Sequence, residues 1–173
     1  MFGKAAFALL ALALPASASA ASMSNIPRND LALRILALHN AARAEVGAPP
    51  MQWDSSLAAS ASTYGPALAS IGRLVHSPRE TRPGQRENLA MAWTDTTSPE
   101  ELVGLWTNEK RMFYPGAFPN VTRSGNWLDV AHYTQMIWKG TTHVGCATYD
   151  ARGWTYLICR YSPPGNIDGK VVP

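Results

Sequence analysis

The sequence predicts an α+β fold in which helices pack on a mainly antiparallel sheet. Apolar residues recur at helical spacing through the first two-thirds of the chain, and the pattern changes to strict alternation from about His143 onward. No internal repeat or low-complexity tract follows the first 20 residues, so nothing suggests a second domain.

The opening "MFGKAAFALLALALPASASA" stands apart from the fold. One early cation, Lys4, precedes an apolar run from Ala5 to Leu14, and small residues follow in two "ASA" triplets. That is the pattern of a secretory signal peptide over residues 1–20, and its apolar run is too short to span a membrane. Removing 20 of the 173 residues leaves 153, enough for one domain with a proper core. The sequence therefore predicts an exported protein, extracellular or periplasmic, with a flexible leader at 21–29 and one domain over 30–173. No later segment has transmembrane character. Without Lys4 the formal charge falls from +3 to +2, and no Lys/Arg run of the nucleic-acid-binding kind occurs.

The helical stripes come first. Leu31, Ile35, Leu38, Ala42 and Val46 form one, opened by Asn29 or Asp30 as N-cap and closed by Gly47 and Pro49–Pro50. Leu57, Ala61, Tyr64 and Leu68 form a second, in which Pro66 predicts a kink or break. Residues 73–95 are irregular and read as a long loop leading into a short element at Glu87–Trp93. A third helix starts at Ser98, with Pro99 at the first turn and Glu101 completing a capping box. Its stripe, Leu102, Leu105 and Trp106, continues to Glu109, a carboxylate on an apolar face. "NWLDVAHYTQMIWKG" reads as a fourth helix, apolar on most sides and so buried, with Asp129 as N-cap.

"THVGCATYD" and "GWTYLICRYS" then flank "ARG" as a β-hairpin. With Arg152–Gly153 as a two-residue loop, Ala151 faces Trp154 and Cys146 faces Cys159. The cysteines would then sit at a narrow, non-hydrogen-bonded pair, within reach of a disulfide. A four-residue loop would spoil that register. These are the only two cysteines, and in an exported chain a pair reads as one disulfide, worth roughly 3 kcal/mol. Any metal would then need histidine and carboxylate ligands.

At this level of detail the chain resembles a known family. "AHYTQMIWKGT" and "YLICRYSPPGNI" are similar to the two signatures of the CAP superfamily, whose module is also called the SCP domain. It comprises cysteine-rich secretory proteins, antigen 5 and plant pathogenesis-related proteins. "LHNAAR", "MQWDSSLAASA", "HSP", "RENLA" and "LWTNEKRMF" occur in the matching order, so the resemblance runs from about Leu33 to Ile167. Ala131 and Arg86 depart from the usual residues at their positions. The resemblance implies a three-layer α-β-α sandwich with a central cleft lined by His76, Glu87, Glu109 and His132.

Those four residues suit a divalent cation such as Zn or Mg, one not required for folding. Neutral imidazoles ligate such ions, and carboxylates either ligate or orient the imidazoles. The alternative is a buried hydrogen-bond network that ties separate segments together. A Ser/His/Glu or metal-dependent hydrolase is the rival function, with Ser77 beside His76 as its candidate nucleophile. No G-x-S-x-G elbow is present, and adjacency in sequence is not a triad. The expectation is thus a binding protein rather than an enzyme. The resemblance also implies a sterol or other lipid, or a protein partner, for a hydrophobic surface. Trp93, Phe113, Tyr114 and Phe118 are candidates to line it, although aromatic residues at such spacings usually pack in the core. His39 is expected to pack or cap, and His143 to be exposed. "NVT" at 120–122 is a glycosylation sequon, and "SPPGN" at 162–166 a rigid turn.

Overall fold

In a computed structural model, the structure describes residues 30–173. The signal peptide expected at 1–20 and the leader at 21–29 lie outside the described residues. Helix α1 covers Leu31–Glu45, α2 Ser55–Ile71, α3 Pro99–Asn108 and α4 Ala131–Ile137. Strands β1 (Gln52–Trp53), β4 (His143–Ala151), β5 (Trp154–Ser162) and β2 (Arg86–Trp93) form one sheet in the order β1-β4-β5-β2. Among the described residues only the short β1–β4 pairing in this sheet is parallel. A small second sheet joins β3 (Gly116–Ala117) to β6 (Val171–Val172).

The sheet is the middle of three layers, and strand alternation sorts its residues between them. Tyr156 and Ile158 of β5, with Leu89 of β2, pack on Ala61, Leu68 and Ala69 of α2. The intervening Leu157, Cys159 and Tyr161 join the larger core beneath α1, α3 and α4, with Ile35, Leu102, Val103, Trp106 and Met136. On the α2 side, Gly145 is required. A methyl group there would collide with the Asp54 carbonyl and the Ala58 amide, so only glycine lets helix and strand approach this closely.

The hairpin adopts the register that places Cys146 opposite Cys159, and the two are disulfide-bonded with Cα atoms 4.1 Å apart. Its loop is Arg152–Gly153, with φ of 54° and 79°, the mirror-image turn whose twist suits a tight hairpin. The element expected at Glu87–Trp93 is β2, an edge strand paired along its whole length with β5. Asp30 caps α1, accepting from the Leu33 amide at 3.0 Å, and Ser98 and Glu101 form the capping box of α3.

Several local expectations are corrected. Pro66 neither breaks nor ends α2, which runs on to Ile71 with Gly72 as its C-cap. Ser62 and Pro66 both face solvent, so water can take the carbonyl that proline leaves without a donor. Leu105 is 53% exposed; the buried face of α3 is Leu102, Val103 and Trp106. The fourth helix begins as a 3₁₀ turn at Trp127–Val130 capped by Asn126, and only then becomes α4. Asp129 caps nothing and instead accepts from Ser124 and Asn126 side chains. The tighter 3₁₀ winding turns Trp127 and Leu128 outward, 41% and 58% exposed, although the apolar run suggested burial. His143 is half-buried rather than exposed.

Arg43 ties α1 to the C-terminal end of α4 on one side of the sheet. It is 1% exposed with no carboxylate partner among the described residues, and donates to the carbonyls of Pro49, Met136, Trp138 and Thr141. Burial lowers its pKa to about 10, so it stays charged at neutral pH. The carbonyls at the C-terminal end of α4 provide the negative potential it needs. Arg43→Ala strands these acceptors in the interior and is expected to lose at least about 3 kcal/mol of unfolding free energy by urea titration. Lysine has one donor centre in place of the planar fork, so Arg43→Lys should recover no more than part of that loss.

Candidate functional site

The segment after α2 brings His76 to the edge of the sheet. Tyr64 of α2 fixes the approach by donating to the Val75 carbonyl at 2.6 Å. Glu87, the second residue of β2, has a fully buried side chain on the α2 side, opposite Arg160 of β5. Its Oε1 accepts from His76 Nδ1 at 2.8 Å and from the Ser77 amide at 2.9 Å. Its Oε2 accepts from Ser77 Oγ at 2.9 Å, and Arg160 Nε approaches at 3.1 Å as an ion pair without hydrogen-bond alignment. Burial opposes ionisation of Glu87, but the bonds from His76 and Ser77 and the field of Arg160 outweigh it and lower its pKa.

The second histidine is held in the same manner from the other layer. Val130 precedes α4 and offers no side-chain cap, so the first amides of the helix need a partner from elsewhere. Glu109, in the 3₁₀ turn after α3, supplies it. Its Oε2 accepts from the His132 and Tyr133 amides at 3.0 and 2.9 Å, and its Oε1 from His132 Nδ1 at 2.6 Å. The indole of Trp106 stacks on the His132 ring at 5.9 Å.

With a carboxylate on each Nδ1, both imidazoles carry their proton there and present Nε2 as the basic nitrogen. Neither Nε2 has a hydrogen-bond partner among the described residues. A cavity of about 750 Å³ lies between the layers and is lined by His76, Glu87 and His132. Glu109 does not line it; it sits behind His132, in a small recess with Asp129 and Met112. The four expected residues thus form two His–Glu pairs rather than one shell. No three His, Cys, Asp or Glu side chains converge as a metal-binding group among the described residues.

The aromatic residues proposed from sequence do not form one groove. Of the four, only Phe118 lines the cavity. Phe113 packs edge-on against Tyr133, and Trp93 lies at the hairpin end of the sheet, stacked on Trp154 at 4.0 Å. The apolar wall is Phe118, Trp127, Leu128 and Ile167, and Arg79, Arg82 and Arg86 lie along the same cavity. Three arginines within eight residues were visible in "PRETRPGQR", yet spacing alone could not place them on a cleft.

Ser77 makes no hydrogen bond to an imidazole among the described residues. Its hydroxyl is buried, donates to Glu87 and accepts from Arg82 Nε at 3.0 Å. His76 Nδ1 is bonded to Glu87 instead.

A buried polar chain supports His132 from below. His39 Nδ1 lies 2.8 Å from the Ile35 carbonyl, which only accepts, so that nitrogen carries the proton. Its Nε2 then accepts from the Tyr161 hydroxyl at 2.8 Å. Asn88 Nδ2 donates to the Tyr161 oxygen and to the His132 carbonyl, both at 3.1 Å.

The cysteine-rich secretory protein (CAP) family model matches residues 36–161, most of the chain. The chain belongs to the CAP family. Pathogenesis-related protein 1C of Nicotiana tabacum is 38% identical over 133 residues, 76% of this chain and 74% of the relative. Pathogenesis-related protein 1 of Arabidopsis thaliana is 40% identical over 129 residues, 74% of this chain and 73% of that one. A crystal structure of NaASP2 with Zn²⁺ superposes with a TM-score of 0.70 at 23% identity, over 84% of this chain and 88% of that chain. That last likeness speaks to the CAP fold alone. Among the described residues no helix is long and apolar enough to cross a membrane.

His39 gives this CAP domain an acid-sensitive point beneath the site. Burial lowers its pKa from 6.5 to about 4, against a smaller upward pull from the Ile35 carbonyl. The unfolded chain therefore takes up this proton first as pH falls, and stability drops below about pH 6.5 until the folded pKa is reached. Between pH 7 and pH 5 the loss through His39 is expected to be about 2 kcal/mol. Urea unfolding at both pH values should show wild type losing that much more than His39→Gln.

Proposed function

We propose that this chain is an exported CAP-domain binding protein, not a hydrolase. Its cleft takes a divalent cation at His76 and His132, and a lipid or protein partner on the adjoining apolar wall. One observation carries the reading: two imidazoles on a single cavity, each fixed through Nδ1 by a carboxylate and each with Nε2 lacking a hydrogen-bond partner among the described residues. Carboxylate-oriented histidine is the usual support of a metal ligand.

The donor set fits a cation within limits. His76 and His132 would be the ligands, Glu87 and Glu109 their orienting partners, and water would complete the shell. Two protein ligands give modest affinity, weakened in acid because proton and metal compete for the same ring nitrogen. A bound Zn²⁺ or Mg²⁺ would place a positive charge on the cavity wall, able to anchor an oxygen of a ligand. The relatives named pathogenesis-related and the secretory family support export, and the expected signal peptide gives the route.

Calorimetry with Zn²⁺ at pH 7.5 tests the cation. The expected result is a saturable heat in wild type that vanishes in His76→Ala/His132→Ala, with the variant's far-UV circular dichroism unchanged. Identical heats for the two proteins would overturn the site.

A further inference from the structure

Two tryptophans at the hairpin end of the sheet lie outside the cleft. Trp93 and Trp154 face each other across β2 and β5, and beside them the Thr94 amide donates to the Gly153 carbonyl at 2.9 Å. That bond makes Trp93–Trp154 the neighbouring non-hydrogen-bonded pair, the kind whose side chains come closest. Their indoles stack at 4.0 Å and 23°. The edge of the Trp93 ring lies beside Gly153, 3.5 Å from where a Cβ would stand. Trp93 is nevertheless 57% exposed. An indole with both faces covered could not reach that value, so the face turned away from Trp154 is open to water. The pair is a flat aromatic platform, backed by a second ring and a hairpin turn.

Two polar turns flank it, Thr94–Thr97 after β2 and Arg152–Gly153 between β4 and β5. Asp95 and Arg152 are exposed and stand at positive φ, 66° and 54°, and Asp150 is exposed on the neighbouring strand. Asp150 accepts from the Thr155 hydroxyl at 2.6 Å. Neither the Asp95 carboxylate nor the Arg152 guanidinium has a hydrogen-bond or ion-pair partner among the described residues.

This rim selects among the molecules that stack on an indole. A nucleobase brings phosphate, and an anionic bilayer its headgroups. Both need a surplus of cations, and the rim carries two carboxylates to one guanidinium. A quaternary ammonium is held in a cage of several rings, whereas a stacked pair offers one face. A protein hot spot sits at the centre of a desolvated patch, and polar turns border this ring. A pyranose with equatorial hydroxyls fits each feature. Its face is axial C–H, which gains dispersion against the indole, and its edge is hydroxyl, which meets a free carboxylate and a free guanidinium.

We propose that the Trp93–Trp154 stack is a carbohydrate-binding platform whose ligand is a neutral, β-linked glucan. One glucose ring lies on the open face of Trp93, with Asp95 and Arg152 serving its hydroxyls. Trp154 acts through Trp93, by holding the platform flat. In a β-linked chain the linkage oxygens are equatorial too, so neighbouring sugars extend beside the platform and leave the stacked face clear. The platform is separate from the cation reading of the cleft, since Glu87 and Trp93 lie near opposite ends of the eight-residue β2.

The test is titration of the full chain with cellohexaose, followed through the indole N–H signals of Trp93 and Trp154 in proton–nitrogen NMR. Sorbitol, which carries the hydroxyls without a ring face, and phosphatidylcholine vesicles serve as the other probes. Cellohexaose is expected to shift both signals saturably, and sorbitol to shift neither. Trp93→Ala, read at Trp154, should weaken cellohexaose roughly tenfold, and Trp93→Phe, which keeps a ring, should recover most of that loss. Trp93→Ala is expected to keep the Zn²⁺ heat of wild type. Asn tolerates positive φ as Asp does, so Asp95→Asn keeps the turn, removes the charge and should weaken binding severalfold. Equal cellohexaose affinity in wild type and Trp93→Ala would overturn the platform. Shifts with sorbitol as large as with cellohexaose would overturn ring stacking. Shifts with vesicles and none with cellohexaose would replace the sugar by a membrane surface, and no shift with any probe would overturn the site altogether.

Discussion

The site depends on a seven-residue helix that could not hold itself. Isolated helices shorter than about 12–15 residues are marginal in water, and α4 lacks a local cap at its start. Both of its ends are instead served by charges from distant parts of the chain. Glu109 brings a carboxylate to its first amides, and Arg43 brings a guanidinium to its last carbonyls. Each charge has the sign that the backbone dipoles favour at that end. His132 lies in the first of these clamps, so Glu109 at the end of α3 fixes the direction of its ring. The carboxylate that looked anomalous on the apolar stripe of α3 is therefore structural before it is functional.

The other histidine is fixed by comparable means in a different setting. Glu87 is fully buried whereas Glu109 is 17% exposed, so the first pair lies in a lower dielectric. Around Glu87 the interior carries excess positive charge: Arg82 and Arg160 are both buried, and Nη1 of Arg160 has no partner among the described residues. Burial opposes ionisation, but the hydrogen bond from His76, the field of Arg160 and the two bonds from Ser77 keep Glu87 ionised, and an ionised Glu87 holds the His76 proton on Nδ1. It also immobilises Ser77, whose hydroxyl bridges Glu87 and Arg82. The residues that suggested a hydrolase are the ones that hold His76 in place.

What the sequence disclosed followed from how far each signal reaches. The hairpin register was legible because two glycine-bounded strands and two cysteines over-determine it, and Ser98–Glu101 because a capping box is complete within four residues. The α4 start was not legible, because its cap comes from Glu109, more than twenty residues away, so the nearby Asp129 was the natural choice. Trp127 and Leu128 were assigned to the interior because an apolar run does not reveal where 3₁₀ winding replaces α. The tetrad was readable through family motifs, but its division into two pairs was not, since motifs carry identity without direction. The three arginines were plain in the chain, yet only the folded loop around Arg79–Thr81 turns them onto a cavity.

That the two pairs meet at one cavity is a consequence of strand geometry at a sheet edge. Consecutive residues on a strand point to opposite faces. Glu87 points toward α2 and holds His76, while Asn88 points toward α4 and donates to the His132 carbonyl. In the middle of the sheet these neighbours would serve two separate layers with backbone between them. Among the described residues β2 is the last strand of the sheet, with β5 on one side and no further strand on the other. The two layers can therefore reach around its free edge, and each delivers one imidazole to the same cleft. Asn88 also joins that edge to Tyr161 and through it to the buried His39, so the floor of the cleft is continuous with the core. A cleft of this kind draws its precision from both helical layers at once, and loosening either α2 or α4 disturbs the pair as a whole.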